Sequence, residues 1–137
     1  MMTEIRNVFD VGARAMAAQM VRMNTVASNL ANASTVSTKP EDAFRALRPV
    51  FEAEFSRMNE GLSTANVQEV VMLDRQPEKQ FRPDHPSADE QGFVYAAAVN
   101  TEEEMVEMVE ASRQYQNTLE TMTTLRALMA RTLQMGQ

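Results

Sequence analysis

Apolar residues recur along the first quarter of the chain at alternating intervals of four and three. Phe9, Ala13, Met16, Met20, Met23, Ala27 and Leu30 all fall on this pattern. Such spacing places them on one narrow stripe of an α-helix, the seam of a coiled coil. It predicts a helix over 5–33, roughly 40 Å long at ~1.5 Å per residue. Asn32-Ala33-Ser34-Thr35 predicts its end, because short polar side chains compete for backbone hydrogen bonds.

The last third of the chain repeats the device. Met105, Met108, Ser112, Tyr115, Leu119, Met122, Arg126, Met129 and Leu133 follow the same alternation, and Leu125 and Leu128 add a second apolar stripe. Thr101-Glu102-Glu103-Glu104 fits a capping box, with Thr101 as N-cap and Glu104 at the third helical position. The three carboxylates favour the positive end of the helix dipole, and Arg126 and Arg131 the negative end. Gly136 is the expected stop.

Between these segments the pattern shortens. Phe51, Ala53 and Phe55 alternate with Glu52 and Glu54, the period of a half-buried strand over 50–55. Val67–Leu73 and Phe93–Val99 are further strand candidates, and Gly61 marks a turn. Gln76–Gln91 holds three prolines and many charges, which predicts an irregular loop. All five prolines lie between 40 and 86, and proline cannot continue a helix. The expected fold is therefore mainly α: long N- and C-terminal helices form a coiled-coil-like pair, with a small β-rich insert between them. The divisions are 1–35 for the first helix, 36–100 for the insert and 101–137 for the second helix.

Composition narrows the chemistry. The chain has 137 residues, no Cys, no Trp, one His and twelve Met. Without cysteine there is no disulfide framework, thiolate metal site or cysteine nucleophile, and a lone His85 excludes a two-imidazole site. A net charge of −6 argues against nucleic acid as a partner. Summed by segment, 1–35 carries +1, 36–100 carries −4 and 101–137 carries −3. Successive carboxylates on a helix point ~100° apart, so Glu102-Glu103-Glu104 do not converge on one ion. The Asp84–Glu90 cluster around His85 reads as a turn held by side-chain hydrogen bonds. No nucleophile is placed beside a base and no glycine-rich phosphate loop occurs, so nothing supports an enzyme, a cofactor or a small-molecule substrate. No unbroken apolar run is long enough for a secretory signal or a transmembrane helix.

Two long apolar stripes with a small insert leave outer faces that a simple hairpin does not cover. Exposed stripes of this kind mark partner interfaces, and head-to-tail contacts between them generate helical polymers. A self-associating or co-assembling structural protein is the class that follows. A soluble helical-hairpin adaptor or export chaperone is the alternative.

The segment Ala17–Thr35, an Ala/Gln-rich helix running into Asn29-Leu30-Ala31-Asn32 and a polar loop, resembles the N-terminal signature of bacterial flagellar rod and hook proteins. Glu104–Asn117, with Ser112-Arg113-Gln114-Tyr115-Gln116-Asn117, is similar to the matching C-terminus. The short insert resembles that of proximal-rod members. The resemblance implies a structural role in the basal-body rod, the periplasmic shaft that carries torque to the hook. It implies export through the flagellar type III apparatus without a cleavable signal. Other rod subunits and further copies of itself are the implied partners, with the motor's membrane ring as an additional candidate. It also implies terminal helices that are poorly ordered alone and fold on joining the tube wall. The expected assembly interface comprises Phe9, Met16, Met20, Met23, Ala27, Leu30, Met105, Met108, Tyr115, Leu119, Met122, Met129 and Leu133. Asn24, Asn29, Asn32 and Asn117 would fix register or helix ends, as buried Asn does in coiled coils.

Overall fold

The computed structural model describes residues 2–55 and 63–136. Helix α1 spans Met2–Asn32 and helix α2 spans Thr101–Met135. Between them lie β1 (Val36–Ser37), β2 (Leu47–Phe55), β3 (Ser63–Met72), β4 (Glu78–Phe81) and β5 (Phe93–Ala96). The fold is mainly α with a small strand insert, as the periodicities predict. Gly61, read as a turn, lies outside the described residues.

Helix α1 stops where side chains take over its backbone groups. Asn32 Nδ2 donates to Ser28 O at 2.8 Å, and Thr35 Oγ1 donates to Asn32 O at 2.7 Å. The start of α2 corrects the sequence reading. Asn100, not Thr101, is the N-cap, its Oδ1 accepting from the N–H groups of Glu102 at 3.0 Å and Glu103 at 3.2 Å. The amide satisfies two of the helix's orphan donors. This one-residue shift puts Glu103 at the third helical position and leaves Glu104 free for another task.

The strands form two small sheets. One has the order β1-β5-β4, and the other is the antiparallel ribbon β2-β3. Strand β4 falls within the segment expected to be irregular. Its charged residues suit an edge strand, which presents one open side to water, and it pairs with β5 from Glu78↔Ala96 to Phe81↔Phe93. The Phe81 and Phe93 rings meet edge-on at 5.2 Å. Gly92 turns the chain into β5 with a φ of 79°, and a Cβ there would lie 3.0 Å from Phe81 Cε2. The turn before it is built by side chains: Asp89 Oδ1 accepts from Gln91 and Phe93 N–H, and His85 Nδ1 accepts from Ser87 N–H.

The ribbon carries a β-bulge, with Val50 opposite Glu69 but Phe51 opposite Val67. An extra residue on one strand breaks the simple in-out alternation, and Phe51 and Glu52 are both exposed. The buried core is made of small side chains: Ala18 and Val26 of α1, Ala43 and Ala46, Val94, Ala97 and Ala98, and Ala111 of α2. The connector into β2 threads this core. Ala98 N–H donates to Phe44 O at 2.7 Å, and Leu73 N–H donates to Ala46 O at 2.8 Å. That path delivers Leu47 and Arg48 to the junction of the two helices.

Candidate assembly interface

The helices pair antiparallel, with Asn29 beside Glu104, Arg22 beside Glu107 and Gly12 beside Met122. Two different devices hold the ends. At Gly12 an added Cβ would sit 2.8 Å from Met122 Cε and 3.0 Å from Met122 Cγ. Glycine at that turn therefore lets the helices approach closely.

The opposite end is tied by polar groups. Asn29 is fully buried; its Nδ2 donates to Leu47 O and to Glu104 Oε2, both at 2.9 Å, and its Oδ1 accepts from Leu47 N–H at 2.8 Å. The Glu104 carboxylate is buried as well. Arg48 Nη1 donates to Glu104 Oε2 at 2.9 Å, and Nη2 lies 2.6 Å from Oε1 as a charge contact outside hydrogen-bond geometry. The hydrogen bond to Glu104 raises the Arg48 pKa above its ordinary value, against an opposing effect of desolvation. One cluster thus joins α1, the start of β2 and the first turn of α2. Arg22–Glu107 and Arg75–Glu103 flank it as ion pairs nearer the surface.

This cluster was missed because Glu104 reads as part of an exposed acidic cap. A signal was nevertheless present. Stepping back from Met108 by four residues along the inward line of α2 lands on Glu104, so one of the three acids had to face the partner helix.

The helix pairing departs from the expected seam. The residues of α1 buried by the pair and the insert are Gly12, Ala18, Thr25, Val26 and Asn29. Of the expected stripe, Phe9, Met16, Met23 and Leu30 are half-buried, while Ala13, Met20 and Ala27 are exposed. The cause is geometric: a strict seven-residue repeat drifts ~20° per heptad around a straight helix. The missing side chain at Gly12 also permits the closer approach. On α2, Met108, Tyr115, Met122 and Met129 are half-buried, whereas Met105, Leu119 and Leu133 are exposed.

The motif residues divide in the same way. Asn29 belongs to the buried cluster and Asn32 closes α1. Leu30 and Ser112 are half-buried, and Asn24, Ala31, Arg113, Gln116 and Asn117 are exposed. Among the described residues, no group of three or more His, Asp or Glu is placed to hold a metal ion, and no helix is long and apolar enough to cross a membrane. What the described surface offers is contact area: large apolar side chains on the outer sides of a tightly tied helix pair.

Comparison with known proteins finds flagellar rod proteins along nearly the whole chain. Residues 9–37 match the family model described as flagella basal body rod protein, and residues 90–135 match that of the flagellar basal body rod FlgEFG protein C-terminal. The chain is 38% identical over 133 residues to the flagellar basal-body rod protein FlgC of Salmonella typhimurium, covering 96% of this chain and 97% of that one. It is 35% identical over 135 residues to FlgC of Aquifex aeolicus, covering 97% and 98%. A FlgC of Buchnera aphidicola from Acyrthosiphon pisum is 29% identical over 134 residues, covering 96% and 97%.

Proposed function

The chain belongs to the flagellar basal-body rod protein family, and on that premise we propose that it polymerises through its two terminal helices as a subunit of the proximal rod. It is a structural component of the basal-body rod, not an enzyme. Residues 1–35 and 101–137 form the tube wall in this reading, and 36–100 brace it from the side. Other rod subunits and further copies of the chain are its neighbours, with the membrane ring of the motor as another. Delivery runs through the flagellar type III apparatus to a periplasmic position.

The observation that carries the reading is the uncovered outer face of the helix pair. Met20, Met105, Leu119 and Leu133 stand exposed beside a pairing line held by Gly12 and by polar ties. Such a surface on a chain with a small core is suited to burial against neighbours. Near full-length similarity to rod proteins favours this over the adaptor alternative.

Met20→Asp and Leu119→Asp test it. Both positions are exposed in the single chain, so each change should alter its stability by no more than about 0.5 kcal/mol. Both variants should be made at normal levels, be missing from purified basal bodies and leave cells unable to swim. Normal swimming in both would overturn the assignment.

A further inference from the structure

The β2–β3 ribbon is held by little packing of its own. A two-stranded ribbon is at best marginally stable in water and needs a surface to lie on. Here that surface is α1: both strands run along it, and among the described residues neither strand's backbone lies against α2. Yet none of the ribbon side chains whose burial is described is fully buried. Leu47, Pro49, Val67 and Val71 are half-buried, and Val50, Phe51, Val70 and Met72 are exposed. Apolar contact with α1 alone is therefore a weak reason for the ribbon to keep one direction.

The base of the ribbon, where Leu47 stands opposite Met72, is tied in two ways. Asn29 of α1 grips Leu47 through both its N–H and its C=O, as a neighbouring strand would. That is a single point of attachment. The other tie reaches α2. Arg48 of β2 binds Glu104, and Arg75, in the segment leaving β3, pairs with Glu103 at 2.8 Å. Each strand thus sends one arginine to the first turn of α2. Successive residues on a helix point about 100° apart, so the two arginines are received on different sides of that turn. One attachment leaves a ribbon free to swing, and two more set its direction.

We infer that the first turn of α2 latches the ribbon: Asn29 is the pivot, and Glu103 and Glu104 keep the ribbon seated along α1 by gripping Arg75 and Arg48. With α2 displaced, the ribbon retains its pivot and a weak apolar contact, and swings. The Glu104 tie is the stronger because that carboxylate is buried, and the Arg75–Glu103 pair nearer the surface adds less. By linkage, the seated ribbon supports the start of α2 with the same free energy by which α2 holds the ribbon. The insert therefore registers whether the C-terminal helix has paired with the N-terminal one. This coupling belongs to the single chain and goes beyond the rod reading without depending on it.

The chain contains no cysteine, so pairs of nitroxide labels can be set at exposed positions. Glu69→Cys with Ala13→Cys reports the ribbon against α1, and Ala17→Cys with Gln116→Cys reports the helix pair away from the latch. In the purified full chain, double electron–electron resonance should give one narrow separation for each pair. Arg48→Met with Arg75→Met should broaden the ribbon pair, moving roughly half or more of the molecules to other separations, and leave the helix pair narrow. Glu103→Gln with Glu104→Gln should do the same to a smaller fraction, since it leaves Arg48 an acceptor, and it decides the matter if the arginine variant loses its helices. A ribbon pair that stays narrow in the variants that keep their helices means that α1 alone seats the ribbon, and overturns the latch. Equal broadening of both pairs overturns it as well, because helix pairing would then have failed as a whole. So does a ribbon pair already broad when all four latch residues are intact.

Discussion

Replacing Arg48 with methionine isolates the ion pair of the buried Glu104 carboxylate. The Glu104 side chain is 1% exposed and that of Arg48 is 24% exposed, and the two meet through one hydrogen bond and one charge contact. Arg48→Met keeps most of the aliphatic stem and removes the charge. Glu104 is then left with one donor, Asn29 Nδ2. Breaking a buried pair from one side costs roughly 3–5 kcal/mol, because a charge stays out of water without its partner. Since Arg48 keeps a quarter of its surface in solvent, the lower end, about 3 kcal/mol, is expected. The converse change should be milder. Glu104→Gln keeps an acceptor for Arg48 and Asn29, and the partly exposed guanidinium can turn to water, so about 1–2 kcal/mol is expected. Urea unfolding of the purified chain, followed by helical circular dichroism, measures both. A loss below about 0.5 kcal/mol for Arg48→Met, or a larger loss for Glu104→Gln than for Arg48→Met, would refute the reasoning. The first result would mean that the helices are not tied in the isolated chain.

Three further substitutions test separate parts of the same framework. Asn29→Ala leaves Leu47 N–H without its side-chain acceptor and should cost about 2–3 kcal/mol; Asn29→Asp should cost more, since it sets a second carboxylate against Glu104. Thermal unfolding of both distinguishes this order from a simple loss of volume. Asn100→Ala should cost about 1 kcal/mol through loss of the cap, while Thr101→Ala should be nearly neutral, and equal effects would reinstate the capping box. Gly12→Leu should lower stability by about 1–3 kcal/mol because the side chain must enter the space of the Met122 thioether, and Met122→Ala should relieve much of that loss in the same unfolding assay.

Helix extents were readable because proline is absent from two long periodic segments, and 5–33 and 101–135 agree with α1 and α2 to within a few residues. Which face of each helix meets the other was not readable. The heptad stripe names residues that are apolar, whereas the pairing line is set by the missing side chain at Gly12 and by which polar group finds a buried partner. Asn29 was singled out by its motif but not as the hub of a cluster, since Leu47 and Arg48 lie 18 and 19 positions away and reach it only through the threaded connector. Edge strand β4 was hidden for a different reason. Glu78 and Lys79 face solvent, so the strand lacks the apolar alternation that would announce it.

The distribution of apolar side chains bears on why such a chain would be finished by its neighbours. Among the described residues, the buried apolar side chains are six alanines and two valines, while Met20, Met72, Met105, Leu119, Leu128, Leu133 and Met135 are exposed. Hydrophobic stabilisation scales with apolar area at about 25 cal/mol per Å², and an alanine contributes little of it. The single chain therefore relies on polar ties at one end of its helix pair and on close backbone approach at the other. Neither device grows with helix length. Neighbours that cover the methionine and leucine faces would add the missing area along the whole rod-forming length. On this argument the same feature that limits the stability of the isolated chain, large side chains left outside a core of small ones, is what makes assembly favourable. Polar replacement of the exposed faces should then weaken assembly far more than it weakens the fold.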